Sequence, residues 1–231
     1  MAAGLYGVYS NTLQIPARLN PWAPLKVAET PNFLTGYKLS RARSNPVLCS
    51  SALSQTEMQY DMLPDRVTGP GCGFENAVRL RMADVRIGSP ISLSCPMALS
   101  FFMWEQHALQ PAAKLHFGQR VAAIEHLGSY ACRNINRGEG TPSNAMVSSR
   151  SRHATANALD IAAITLANGR RISVLKQWHD DAATTPDLDA LMLTDAHRGA
   201  CRFFDGVLGP DYNALHRDHF HLETGGYSMC R

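Results

Sequence analysis

One stretch of the chain carries apolar residues at the spacing of a helix. Between residues 96 and 109 they recur every three to four positions, the period of one helical face, as Met97, Phe101, Trp104 and Ala108. Ser94 stands where a cap is expected, and a proline follows at an early helical position. The pattern predicts a helix over residues 96–109 whose Met and aromatic stripe packs in the core.

Shorter apolar runs elsewhere are typical of strands. Two of them flank Asn168-Gly169, a strong signal for a tight hairpin turn. The predicted strands cover residues 78–80, 85–87, 121–126, 158–166, 172–175 and 219–223. A long helix is expected over residues 188–208, ended by Gly209 and Pro210. Helices that alternate irregularly with hairpin strands predict an α+β fold, with a small antiparallel sheet and flanking helices.

The first part of the chain differs from the rest, because residues 1–70 hold several prolines and little sustained periodicity. We expect this part to form a proline-rich N-terminal arm. It would be extended over residues 20–28 and would form short helices over residues 39–42 and 49–55. The glycine- and proline-rich turn at residues 69–73 marks the expected boundary. Residues 71–231 would then form the main domain.

Composition and charge narrow the class of protein. Hydrophobic residues make up 45% of the chain and charged residues 18%, which indicates a globular protein. The formal net charge is only +3, and no run of Lys and Arg is longer than two residues. Nucleic-acid binding is therefore not expected. The small positive excess would suit an anionic wall polymer or a membrane surface without requiring either.

The six cysteines indicate an oxidising compartment. None lies in a CxxC pair, so neither a thiolate zinc site nor a thioredoxin-type motif is indicated. An even number of scattered cysteines is typical of disulfides, and their connectivity stays open. The bacterial periplasm or an extracellular space is favoured. Residues 1–10 are mildly apolar without a basic segment, and fit either the stump of a signal or membrane anchor that begins upstream or a disordered tail.

Two segments carry unusual chemistry. In the first, His153 and Asp160 bracket small residues where a loop leads into a predicted strand, and small side chains let the backbone fold close to an ion. In the second, residues 216–221, three histidines and a carboxylate fall within six positions. His219 and His221 would share one face of an extended strand.

Two imidazoles and one carboxylate suit zinc, and such a set leaves a fourth position open for water. A metal there would lower the pKa of the water and polarise a scissile carbonyl. Taken singly, each group has an ordinary explanation: a histidine at a strand end is usually a surface or core residue, and a His-rich hexapeptide can bind metal adventitiously. Two separate segments that supply complementary ligands favour a catalytic zinc site instead.

The first segment resembles a known signature. Its sequence SRHATANALD is similar to the SxHxxGxAxD pattern of the metallopeptidase superfamily that contains lysostaphin-type enzymes, D-Ala-D-Ala peptidases and the hedgehog fold. Ser151, His153, Ala158 and Asp160 match the pattern. Ala156 stands where the pattern has glycine, which costs backbone freedom although alanine is the mildest replacement.

A longer stretch, residues 21–231, resembles the bacterial extensin-like C-terminal domain family. Several motifs carry this resemblance in order: NPWAPL, GPGCGF, CPMAL, GSYACRNIN, HATANALDI, VLGPDYN and HRDHFHLE. The family is named after plant wall structural proteins, but these residues point to a peptidase site. By resemblance, the substrate class would be peptidoglycan stem peptides or their cross-links, in a periplasmic protein with or without a membrane anchor.

The resemblance also assigns roles. His153, Asp160 and His221 would bind Zn²⁺, and Asp218, three residues before the last ligand, would be the general base. An ideal strand would point Asp218 away from His221, so the assignment needs a turn at residues 217–218. His219 is the substitute, as base or as a partner of a ligand.

Other residues have weaker assignments. Arg133 matches the arginine that precedes the signature, and would stabilise the oxyanion or else make only a structural contact. Ser151 would position the loop through its hydroxyl, and His216 reads as a surface histidine. No GxSxG elbow or P-loop is present. The competing hypothesis is a non-catalytic, zinc-containing wall-binding or scaffold module, because fold resemblance alone does not establish turnover.

Overall fold

The computed structural model describes residues 15–135, 149–178 and 187–231. The expectation for residues 1–10 concerns residues outside these ranges. The α-helices are α1 (Thr35–Arg43), α2 (Pro46–Leu53), α3 (Cys95–Trp104), α4 (Gln110–Phe117), α5 (Val174–Gln177) and α6 (Leu188–Ala200). A π-helical segment, Glu105–Leu109, joins α3 to α4. Short 3₁₀ helices occur at Ala17–Leu19, Arg152–Thr155 and Ala214–His216.

Three small sheets accompany these helices. The strands are β1 (Gln59–Leu63), β2 (Arg66–Gly69), β3 (Cys72–Phe74), β4 (Ala77–Met82), β5 (Ile91–Ser94), β6 (Val121–Gly128), β7 (Ala158–Leu166), β8 (Arg171–Ser173), β9 (Gly206–Leu208), β10 (Phe220–Glu223) and β11 (Met229–Cys230). The largest sheet has the order β11-β9-β10-β7-β6, with β8 also paired to β7. Its pairings are antiparallel except that of β11 with β9. The predicted α+β class is confirmed.

The apolar helix begins as expected and runs further than expected. The Ser94 hydroxyl accepts a hydrogen bond from the Met97 amide at 3.2 Å, which caps α3. The predicted core stripe is confirmed, since Met97, Phe101 and Trp104 are fully buried. The predicted end near residue 109 is wrong, because the chain stays helical to Phe117. A proline lacks an amide proton and its ring crowds an α turn, and the wider π turn lies directly before Pro111.

Two other expectations are corrected. The helix predicted over residues 188–208 ends at Ala200, and the chain then turns and forms β9. The apolar run that suggested more helix instead supplies buried Phe203 and Val207 to the core. The strand predicted over residues 85–87 is reduced to one isolated bridge, Arg86 to Ala123, although its apolar side chains are buried.

The arm contributes to the same hydrophobic cluster as the main sheet. Leu25, Val27 and Leu39 are among its buried members. The Arg43 guanidinium at the end of α1 donates to the Asp205 carboxylate, just before β9, at 2.8 Å. Helix α2 is joined covalently to α3 by a disulfide, described next. The arm therefore supports the segment that leads into the main sheet.

All six cysteines are paired, as the scattered pattern predicted. The bonds are Cys49–Cys95, Cys72–Cys132 and Cys201–Cys230. The first fastens the arm to α3, and the second fastens the β2–β3 hairpin to the segment after β6. The third fastens β11 to the end of α6. Within the described residues, none of the helices has the length and apolar character needed to cross a bilayer.

Glu105 is fully buried in the π-helical segment. Its carboxylate accepts hydrogen bonds from Gln110 at 2.6 Å and from Gln106 at 3.0 Å. Burial has the largest effect on the pKa of Glu105 and raises it. The hydrogen bond from Gln110 lowers the pKa by less, so its value is about 7. Between about pH 4.5 and about pH 7, the folded protein therefore holds a proton on Glu105 that the unfolded chain has already released.

This proton makes stability depend on pH. The stabilisation is complete below the ordinary pKa of 4.5 and is lost as the pH rises through about 7. We expect Glu105→Gln to remove this loss, which amounts to about 3 kcal/mol at about 1.4 kcal/mol per pKa unit. Free energies of unfolding measured by denaturant at about pH 5 and about pH 8 test it. The exposed Glu57→Gln is the matched control, and an unchanged pH slope for Glu105→Gln would contradict the expectation.

Candidate metal centre

The centre depends on the pairing of two neighbouring strands. In the antiparallel register of β7 with β10, Asp160 lies directly opposite His221. Residues opposite each other in such a pair project from the same face of the sheet, with their Cβ atoms about 5 Å apart. The next pairs on either side, Leu159 with Leu222 and Ile161 with Phe220, are fully buried apolar pairs.

His153 comes from the short 3₁₀ helix before β7. As expected, the Ser151 hydroxyl positions this loop, since it accepts a hydrogen bond from the His153 amide at 3.3 Å. Ala156 ends the 3₁₀ helix in the left-handed region, with φ of 55°. Its carbonyl accepts from the Ser94 amide at 2.9 Å, which ties the loop to the cap of α3. Position 156 therefore has a backbone conformation that favours glycine, although the residue is alanine.

The three predicted ligands converge. Asp160 Oδ1 lies 2.8 Å from His221 Nδ1, and Asp160 Oδ2 lies 3.2 Å from His153 Nε2. The two imidazoles also contact each other, with 3.3 Å between His153 Nε2 and His221 Nδ1. All three residues are buried, and one ligand atom from each lies within 4.8 Å of the others. The cluster could hold a metal ion with two nitrogen ligands and one oxygen ligand.

The outer atoms of the two imidazoles are also held. His153 Nδ1 lies 3.3 Å from the Ser129 carbonyl, which can accept a hydrogen bond from Nδ1–H, and His153 Nε2 faces the centre. His221 Nε2 lies 3.0 Å from Glu223 Oε2. Both rings are therefore turned so that one nitrogen faces Asp160. This donor set fits zinc, which favours imidazole and carboxylate ligands.

Opposing effects set the charges in the cluster. Burial raises the pKa of Asp160, but the hydrogen bonds from His153 and His221 lower it by more. The pKa of Asp160 therefore lies well below its usual value. Burial lowers the pKa of His221, whereas its hydrogen bonds to Asp160 and Glu223 raise it, to about 9 overall. At neutral pH the proton on His221 Nδ1 thus lies among the atoms that would bind a metal.

Asp218 and His219 form a pair at the edge of this cluster. Residues 217–218 form the turn that the assignment of Asp218 required, and β10 begins at Phe220, one residue later than predicted. His219 Nδ1 lies 2.8 Å from Asp218 Oδ1, and His219 Nε2 lies 3.6 Å from Asp160 Oδ1. Asp218 therefore contacts the centre through His219.

His216 belongs to the same cluster, although its sequence position suggested a surface histidine. Its ring lies 5.3 Å from that of His219 and 5.7 Å from that of His221, measured between centroids. Burial lowers the pKa of His216 to about 4, and the neighbouring His221 imidazole acts in the same direction. A neutral imidazole thus covers one side of the centre. The HxxHxH spacing in the sequence indicates that His216 can join this cluster, whereas the expectation from the strand pattern placed only His219 and His221 there.

Arg133 is exposed beside this group. Its positive charge contributes to the lowering of the His216 pKa, after the larger effects of burial and of the neighbouring charged groups. The Arg133 carbonyl accepts a hydrogen bond from the Ser151 amide at 3.1 Å, which joins its backbone to the His153 loop. The adjacent Cys132 is fastened to Cys72 in the β2–β3 hairpin. The backbone of Arg133 is therefore fastened to the His153 loop and, through Cys132, to the β2–β3 hairpin.

Comparison with known proteins identifies one family. The model of a family described as extensin-like protein C-terminus matches residues 47–231, which is more than half of the chain. No curated protein and no solved structure matches the chain. The matched region contains every residue of the centre described above.

The left-handed conformation of Ala156 gives a first test. We expect Ala156→Gly to change the free energy of unfolding by less than about 1 kcal/mol, because relief of backbone strain offsets the lost buried methyl group. Ala156→Val should cost at least about 2 kcal/mol, since a β-branched residue is poorly accommodated at positive φ. Denaturant unfolding measures both. Ala163→Val, at a buried strand position, controls for overpacking, and equal costs for both valines would contradict the argument.

The proton on His221 gives a second test. Because Zn²⁺ must displace it, we expect the apparent affinity for Zn²⁺ to rise about tenfold per pH unit from neutral pH up to the His221 pKa of about 9. Competition with a chromophoric chelator at several pH values measures this affinity. Calorimetry in buffers of different ionisation enthalpy should show about one proton released per ion near neutral pH. An affinity that does not change over this range would contradict the charge assignment.

Proposed function

This chain belongs to the extensin-like protein C-terminus family, and we propose that it is a zinc-dependent peptidase that hydrolyses peptidoglycan stem peptides or their cross-links. The observation that carries the proposal is the convergence of His153, Asp160 and His221 in a buried cluster. A second observation is that the Asp218–His219 pair lies beside this cluster. A site that only stabilised the fold would not need such a pair.

The proposal includes a relation to the lysostaphin, D-Ala-D-Ala peptidase and hedgehog superfamily. The relation is supported because each of these signature residues has a structural role in this chain. Ser151 caps the loop, His153 and Asp160 contact each other, and Ala156 has the left-handed backbone that the glycine of the pattern provides for. A capping hydroxyl, two side chains in contact and a left-handed backbone position are three different structural features, and the signature has a matching residue for each.

His153 Nε2, Asp160 and His221 Nδ1 would hold the ion. When bound, zinc supplies Lewis acidity, which polarises a carbonyl and eases ionisation of a water molecule. The chain's own groups then handle the proton. His219 is the better candidate to move it, because its Nε2 faces the centre while Asp218 accepts the hydrogen bond from Nδ1–H and keeps Nε2 free to take a proton.

Two further groups complete the proposed mechanism. Arg133 would bind developing negative charge on the substrate carbonyl, or a carboxylate of the substrate. His216, neutral at working pH because its pKa is about 4, would exclude water from one side without adding charge. Together these groups would suit hydrolysis of a peptide bond in an anionic substrate.

The proposed location is the bacterial periplasm. Three disulfides support an oxidising compartment. The positive net charge of +3 suits an anionic wall polymer. Both the endopeptidase and the carboxypeptidase form of the activity are consistent with an exposed Arg133.

Digestion of defined muropeptides by the zinc-loaded full chain, read by mass spectrometry, tests the function. We expect cleavage by the wild type, with the bond revealed by the product masses. His221→Ala should bind no zinc and cleave nothing. His219→Ala should keep zinc and lose at least about 100-fold in turnover, because it removes the proton acceptor. Asp218→Ala should also keep zinc and lose turnover, because His219 loses its orienting partner.

The outcomes separate the alternatives. Firm zinc binding without cleavage of any muropeptide would favour the non-catalytic wall-binding or scaffold module. Normal cleavage by Asp218→Ala would remove Asp218 from the mechanism. Normal cleavage by His219→Ala together with loss in Asp218→Ala would return the role of base to Asp218.

A further inference from the structure

The outer nitrogen of His221 has a partner that the mechanism above does not use. His221 Nε2 lies 3.0 Å from Glu223 Oε2, while its Nδ1 lies 2.8 Å from Asp160 Oδ1. His221 and Glu223 are two residues apart on β10, so their side chains project from the same face. The imidazole is therefore held between two carboxylates, one at each nitrogen.

Space for the Glu223 side chain comes from two glycines. Gly206, on β9, pairs directly with Glu223, and a Cβ there would lie 2.5 Å from Glu223 Cγ. A Cβ at Gly226 would overlap Glu223 Oε1. Neither glycine has positive φ, so the backbone conformation does not require glycine at either position. What both positions require is room for this carboxylate.

We propose that Glu223 is a positioning residue for the metal centre, and that Gly206 and Gly226 are glycines because they make room for it. By accepting the Nε2–H hydrogen bond, Glu223 fixes the rotation of the His221 ring and keeps the proton on Nε2. Nδ1 is then the nitrogen presented to the metal. Without this partner the ring can turn about its χ2 angle and present either nitrogen. The inference rests on the zinc centre proposed above, but not on peptidase activity.

The binding of Zn²⁺ and Co²⁺ to the full chain tests the proposal without any substrate. Zn²⁺ affinity is measured by competition with a chromophoric chelator, and the visible absorption of bound Co²⁺ reports the ligand geometry. We expect Glu223→Ala to weaken Zn²⁺ binding about 10- to 100-fold and to change the Co²⁺ spectrum. Glu223→Gln should recover part of the affinity, since its amide oxygen still accepts from Nε2–H but carries no charge.

The glycines provide an independent arm. Gly226→Ala leaves Glu223 chemically intact but displaces its carboxylate, so it should weaken Zn²⁺ binding in the same direction as Glu223→Ala. Gly36→Ala is the matched control, because a Cβ at Gly36 has no atom within 4 Å and its φ is ordinary. Far-UV circular dichroism and the melting temperature of each metal-free variant confirm that it is folded.

The results decide between this inference and the function on which it rests. If the wild type binds Zn²⁺ and the folded Glu223→Gln, Glu223→Ala and Gly226→Ala variants bind it equally with an unchanged Co²⁺ spectrum, the positioning role is overturned. If the wild type binds no Zn²⁺, the inference falls together with the metal centre. If Zn²⁺ binding depends on Glu223 but no muropeptide is cleaved, the inference stands and the peptidase function fails.

Discussion

The register between β7 and β10 is the constraint on which the candidate centre depends. A slip of one residue would move Asp160 or His221 to the opposite face of the sheet. The register is held by the apolar pairs on either side, Leu159 with Leu222 and Ile161 with Phe220, which bury their side chains in the core. The hydrophobic face of the sheet thus aligns the polar groups on its other face, and packing energy maintains a chemical site.

The alignment matters for stability because the Asp160 carboxylate is removed from water. An unpaired carboxylate as buried as Asp160 would be costly, and both imidazoles compensate it through hydrogen bonds. The folded protein therefore has the ligand atoms close together before any ion enters, with a proton at His221 Nδ1 in its place. An ion entering the cluster exchanges with that proton and needs little rearrangement of the backbone. Such pre-organisation is what a tight site of three ligands requires.

The sequence predicted what depends on local chemistry. Short segments whose residues indicate their own conformation contain the cap at Ser94, the turn at Asn168-Gly169 and the residues of the buried His/Asp cluster. What failed depends on distant partners. The end of the apolar helix was missed because a π turn accommodates the proline at 111. Residues 201–208 read as helix because their apolar spacing fits either a helix or a buried strand beside β10. The room for Glu223 involves glycines 17 residues before it and three after it, a relation visible only in the fold.

The Cys201–Cys230 bond has a consequence for the lifetime of a bound ion. Two of the proposed ligands lie close together in the chain, but the third is on β10, which is held on one side by β9 and through it by β11. The C-terminal strands are where a sheet of this kind would begin to fray, and the disulfide ties β11 to the end of α6. Fraying of β10 is the shortest route by which the centre can lose a ligand without global unfolding. Reduction of the Cys201–Cys230 bond by thiols would then speed the loss of a bound ion, although the proposed ligands include no cysteine.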